Sequence, residues 1–218
     1  MSETIALPST LSFGGLLSYG WQVLQKHFTY LLKVVVVMIV LVAIPQAVVG
    51  MLFKESALGG IFNLLLTIWQ MILSLGILRI MLELLRTGKE PELTQEKLLE
   101  GKDVIVNYIV GQILFGLLVA VGMILLVIPG FYFMLKYMFV PILIADKKFG
   151  IKEAFAFSAQ MTEGKKLTLL FYMLGIYFFI LLGLLALIIG VVVTGAIASI
   201  AGLGMYLILE REASKAQA

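Results

Sequence analysis

The chain has 218 residues, 61% hydrophobic and 13% charged, with a formal net charge of +3 and a mean hydropathy of +1.09. A soluble domain carries about a quarter charged residues, so this composition argues against a water-facing globule. The absence of cysteine excludes disulfides, thiolate metal sites and thiol nucleophiles, and the one histidine, His27, cannot build a zinc site alone.

The opening stretch MSETIALPST has Glu3 and no basic residue before Lys26. It lacks the positive start of a secretory signal, so the first hydrophobic segment is expected to stay in the mature protein. In FGGLLSYGWQVLQKHF, Phe13, Leu16, Leu17, Trp21, Leu24 and Phe28 recur at helical spacing, and Ser18, Gln22 and Gln25 fall elsewhere. This predicts an amphipathic helix over about 12–28, lying in the membrane interface with its apolar face toward acyl chains.

A membrane-crossing helix needs roughly 20 apolar residues. The uncharged runs predict spans over about 31–53 and 58–85. Within the second, Asn63, Thr67, Gln70 and Ser74 are spaced 4, 3 and 4 and share one face. Such a polar stripe is expected to face other helices or a water-filled path. Glu83 stands one turn from Arg79, its expected partner. The loop RTGKEPELTQEKLLEGKD is soluble in character, with a short helix expected after Thr94 as cap.

Val104 to Leu135 is too long for one span and is expected to break at Pro129-Gly130. The spans are then about 104–128 and 131–146. A second amphipathic helix is expected over about 150–163, with Ile151, Ala154, Phe155 and Ser158 opposite Lys152, Glu153, Gln160 and Glu163. It aligns with the first at an offset of 138: Phe13 with Ile151, Leu17 with Phe155, Gln22 with Gln160. Each precedes two spans, so the chain either duplicates a surface-helix-plus-hairpin unit or anchors two hairpins independently.

Leu167 to Leu209 contains no charge. As one helix it would run about 65 Å, twice the hydrocarbon thickness. It must fold back, and a turn near Gly190 gives spans of about 166–188 and 190–210. Gly190, Thr194, Ala198 and Gly202 make a small-residue face for close helix packing.

With both termini on one side, fourteen basic residues fall in the inner segments and Lys54 alone in an outer loop. The positive-inside bias makes that side the cytoplasm. The whole, residues 1–218, reads as one all-α polytopic membrane domain of six transmembrane helices and two cytoplasmic-side interfacial helices.

Lys136 is the cation placed inside a span, where charge costs about 2.5–3.5 kcal/mol and is paired or functional. Gln46, Asn63, Thr67, Gln70, Tyr132 and Thr194 are candidates to share a polar layer with it in the outer half of the membrane. The lysine either snorkels or bonds structurally, or it binds an anionic headgroup, solute or ion. Catalysis is not expected: no G-x-S-x-G, H-E-x-x-H or phosphate-binding glycine loop occurs, and no basic face interleaved with aromatics points to nucleic acid. No cofactor is expected.

IPGFYFMLKYMFVPILIAD followed by GIKEAFAFSAQMTEGKK resembles a bacterial family of multi-spanning membrane proteins. That family includes YciC-like inner-membrane proteins and the membrane domain of some glycerophosphodiester phosphodiesterases. The shared pattern falls on Pro129, Gly130, Lys136, Pro141, Asp146, Ala154, Ser158 and Gly164. The family commonly has Arg at the position of Lys136. The detailed likeness covers about residues 128–170 and implies an inner-membrane location. No phosphodiesterase domain is present, so that activity does not carry over. Two function classes remain: transport or handling of an anionic solute or amphiphile, and a non-catalytic scaffold or envelope-maintenance protein. Expected partners are anionic lipids on the cytoplasmic side, a further copy of the chain, or another membrane protein.

Overall fold

The computed structural model describes residues 5–8, 10–53, 56–101, 103–185 and 187–215. They form helices joined by short turns, with no strand among the described residues. Six helical stretches are long and apolar enough to cross a membrane: Phe28–Leu52, Ala57–Thr87, Ile105–Leu125, Val127–Lys147, Lys166–Leu185 and Gly190–Lys215. The protein is an all-α, multi-pass membrane protein.

Helix α1 (Phe13–Lys26) starts where the Ser12 hydroxyl accepts the Gly15 N–H. It ends at His27, after which span one begins. That span is α2 (Phe28–Met38), a π-helical turn (Ile39–Ala43) and α3 (Ile44–Leu52). The widened turn leads into Pro45, which has no N–H to give the carbonyl of Leu41. The indole of Trp69, on α4 (Ala57–Thr87), donates to that carbonyl at 3.0 Å. Trp69→Phe keeps an aromatic ring, though a smaller one, and orphans the carbonyl. A loss of about 0.5–2 kcal/mol is expected, read as a lower Tm in detergent.

The 31 residues of α4 run about 46 Å, well beyond the hydrocarbon. Its first half is mostly exposed, whereas Leu73, Leu75, Ile80, Leu82, Leu84 and Leu85 are buried. Gly88, left-handed at φ 66°, caps its end. The loop helix α5 (Gln95–Leu98) forms as the sequence predicts, its first turn capped by Thr94 accepting from the Lys97 N–H. Gly76 lets the Leu98 carbonyl rest directly on α4.

Span three is α6 (Ile105–Leu125), and span four is α7 (Val127–Tyr137) with α8 (Val140–Lys147). The chain turns at the extended residue Leu126 (φ −162°, ψ 142°), not at Pro129-Gly130 as expected. Pro129 sits in the first turn of α7, where a missing N–H is tolerated. Gly130 packs against Gly122: a Cβ on Gly122 would lie 2.9 Å from the Gly130 Cα. The pair therefore starts a helix and seals a hairpin. Span four instead breaks at Met138-Phe139, just before Pro141.

Helix α9 (Ile151–Met161) leads to span five, α10 (Lys166–Leu185), and span six, α11 (Leu187–Lys215). Helix α10 ends at Leu185 and α11 begins at Leu187, ahead of the turn expected near Gly190; residue 186 lies outside the described residues. Gly190 is inside α11. Gly183 of α10 presses on Thr194 and the Gly190 carbonyl, so the small-residue face of span six is used within the chain.

Neither amphipathic helix turns its whole apolar face to lipid. In α1, Leu16, Tyr19, Gly20, Val23 and Leu24 are buried. Gly20 lies against Ile197, and Tyr19 against Gly204, both of α11. Phe13, Trp21 and Phe28 stay exposed. In α9, Ala154, Ser158 and Met161 are buried, and Lys152, Glu153, Gln160 and Glu163 are exposed. The two helices share an order in the chain and both touch α11, but α1 docks chiefly there whereas α9 lies mainly along α8, with α7 and α11 beside it. The core concentrates where α4, α8 and α11 meet, while the tips around Met51, Ile124–Ile128 and Leu185 are exposed.

Candidate functional site: a lysine pair on one aromatic ring

Pro141 has no N–H for the Tyr137 carbonyl, and the helix break at Met138-Phe139 leaves the preceding Lys136 carbonyl open to other donors. Ser158 Oγ donates to it at 3.0 Å, and the Thr162 hydroxyl, whose shortest bond is to the Ser158 carbonyl at 3.0 Å, lies 3.3 Å away. Both hydroxyl residues are fully buried. The Lys-Pro-Ser pattern is thus a latch that holds α9 against span four through main-chain chemistry, independent of the lysine head.

The Lys136 ammonium, on a half-buried side chain, lies 5.8 Å from the Tyr132 ring centre and 5.2 Å from that of Tyr137. From α10, Lys166 reaches the same Tyr132 ring at 5.1 Å. Cations over aromatic faces are stabilised by the ring quadrupole, more strongly where water is scarce. Among the described residues no carboxylate pairs with either lysine. Two like charges gathered on one ring without an anion form an electropositive spot. An apolar groove of about 380 Å³, lined by neither lysine, runs between the same two spans and α11, starting at Met138 two residues beyond Lys136. Met138, Phe139, Ile142, Met173, Ile176 and Gly202 are among its walls.

Of the residues predicted to accompany Lys136, the structure brings Tyr132 to it, at the level of α9 and the start of span five and not in the outer-half layer expected. Gln46, Asn63, Thr67 and Gln70 are exposed on spans one and two. Thr67 donates to the Asn63 carbonyl at 2.8 Å, and Thr194 to that of Gly190 at 2.9 Å, each within its own helix. Ser74, the fourth stripe residue, meets the Tyr108 hydroxyl at 3.2 Å. Lys166 was not singled out in the sequence, where it reads as one of many loop cations.

A second polar cluster ties the basic ends of spans two, four and six. Arg86 makes a two-pronged pair with Asp146 at 2.5 and 2.6 Å. Tyr206, fully buried, donates to Asp146 at 2.7 Å. Glu210 takes Lys147 at 2.5 Å and Arg86 at 3.4 Å. Arg79 does not pair with Glu83 as expected: its Nε donates to the Ala145 carbonyl at 2.8 Å, while Glu83 takes Lys97 at 2.8 Å. The Lys148 ammonium at 2.7 Å holds the Asp103 carboxyl below its usual range. The charges of Arg86, Asp146, Lys147 and Glu210 satisfy one another and act as a clamp, whereas the buried Arg79 Nη2 has no hydrogen-bond partner among the described residues. Gly164, left-handed at φ 70°, turns the chain from α9 into α10. Among the described residues no three His, Asp or Glu side chains gather to hold a metal. Comparison of the chain with protein-family models, with curated proteins and with solved structures finds no match.

Proposed function

We propose that this protein binds and handles an anionic membrane amphiphile, with the headgroup at Lys136 and Lys166 and an acyl chain in the groove between spans four, five and six. The observation that carries the reading is the pair of lysines on the Tyr132 ring without a carboxylate partner. A phosphate or carboxylate supplies the missing countercharge. Met173 follows Lys166 by two turns of α10, so a chain leaving the headgroup meets the groove wall. In this reading the protein lies in a bacterial cytoplasmic membrane with both termini in the cytoplasm, consistent with the basic bias and the family resemblance. A second reading, a non-catalytic scaffold, is favoured by the clamp around Asp146, which would stiffen a basic face for anionic lipid or a partner.

Native mass spectrometry separates them. With phosphatidylglycerol against phosphatidylcholine, the wild type is expected to retain the anionic lipid selectively. Lys136→Gln with Lys166→Gln is expected to lose that selectivity by about tenfold. Added inorganic phosphate distinguishes a free anion from a lipid headgroup by competing only in the first case. Unchanged selectivity in the double variant would favour the scaffold.

A further inference from the structure

A different surface has the chemistry of a helix–helix seam. The face of α4 bearing Gly60, Asn63, Thr67 and Gln70 has spacings of 3, 4 and 3, and all four residues are exposed. This is the pattern of a seam between two helices packed at a small angle. Asn63 and Gln70 lie about 9 and 20 Å along the helix from Ala57, inside a hydrocarbon layer about 30 Å thick. The Thr67 hydroxyl is satisfied by the Asn63 carbonyl. The Asn63 and Gln70 amides have no partner among the described residues. Each offers two N–H donors and a carbonyl acceptor. Lipid supplies nothing to bond them, and an unmet polar group there costs several kcal/mol.

We propose that this face is a self-association seam, along which two copies of the chain meet and their Asn63 and Gln70 amides bond across a two-fold axis. The occupant follows from chemistry and insertion. An amide is donor and acceptor at once, so an identical amide complements it. Copies inserted with the same orientation can close only about an axis along the membrane normal, which sets residue 63 opposite residue 63 and residue 70 opposite residue 70. Gly60 has open space where a Cβ would point, which permits close approach at the tip.

The cysteine-free chain makes the test direct. Thr67→Cys on the seam and Leu65→Cys on the far side of the helix are oxidised in native membranes. The seam position is expected to give a covalent homodimer at about ten times the yield of the control. Adding Asn63→Leu and Gln70→Leu to Thr67→Cys is expected to cut that yield about tenfold. Equal yields at 65 and 67, monomer alone, or an adduct of another mass would overturn the proposal. Failure of the leucine variant to fold would also count against it, because the amides would then be needed within one chain.

Discussion

Asp146→Ala is expected to cost about 3 kcal/mol or more, the largest single-residue effect in the protein. The Asp146 side chain is 5% exposed and accepts from both Arg86 nitrogens and from Tyr206. Removing it strands a buried tyrosine hydroxyl and leaves a half-exposed arginine with Glu210 at 3.4 Å as its nearest carboxylate. Breaking a buried pair on one side costs about 3–5 kcal/mol, and the exposure of Arg86 puts the estimate at the lower end. For a chain of this size, each kcal/mol shifts Tm by about 2–4 °C. A fall of roughly 6–12 °C in detergent is therefore expected. Tyr206→Phe removes one donor and leaves the arginine fork, so its Tm is expected to drop by much less. Equal losses from the two variants would mean that the tyrosine, not the ion pair, holds spans two, four and six together.

Gly76→Val is expected to rank next. A side chain there runs into the carbonyl oxygen of Leu98, a backbone atom without freedom to step aside. Either α4 shifts or the loop carrying α5 lifts, exposing Leu98 and stretching the Lys97–Glu83 pair. Overpacking of this kind costs about 1–3 kcal/mol. Gly116→Ala is the matched control: no atom lies within 4 Å of the Cβ it adds, on an exposed face of α6. It is expected to be neutral or to gain up to about 1 kcal/mol of helix propensity. Protease sensitivity of the 88–104 loop, read beside Tm, locates the damage: the valine variant is expected to be cut faster and the alanine variant not.

What the sequence showed and what it hid divide along a physical line. Runs without charge mark spans because the hydrocarbon forbids charge, and all six emerged within a few residues. Thr94 was readable as a cap, because a hydroxyl before a helix meets an orphan N–H a few atoms away. Lys136 over Tyr132 was readable as neighbours one helical turn apart. The errors came where long-range packing decides. Pro129-Gly130 looks like a break, yet the turn fell on Leu126, which has no turn chemistry, because Gly130 is needed against Gly122. Glu83 and Arg79 are spaced as a helical pair, yet Lys97 and the Ala145 carbonyl take them. Asp146 could be recognised as a motif residue, but its bond to Tyr206 spans sixty residues. Lys166 joins the site because α9 folds back along span four, which no local pattern announces.

The proposed function requires Lys136 to share one aqueous side with Lys166, with an anionic amphiphile between them. Lys136→Cys and Lys166→Cys, with the exposed Lys152→Cys as reference, are labelled with a membrane-impermeant thiol reagent in inside-out and right-side-out vesicles. The prediction is that positions 136 and 166 label from the same side as position 152, and that added phosphatidylglycerol slows labelling at both but not at 152. Labelling of position 136 from the opposite side alone, or no labelling at 136 in folded protein while 166 reacts without lipid protection, would contradict it.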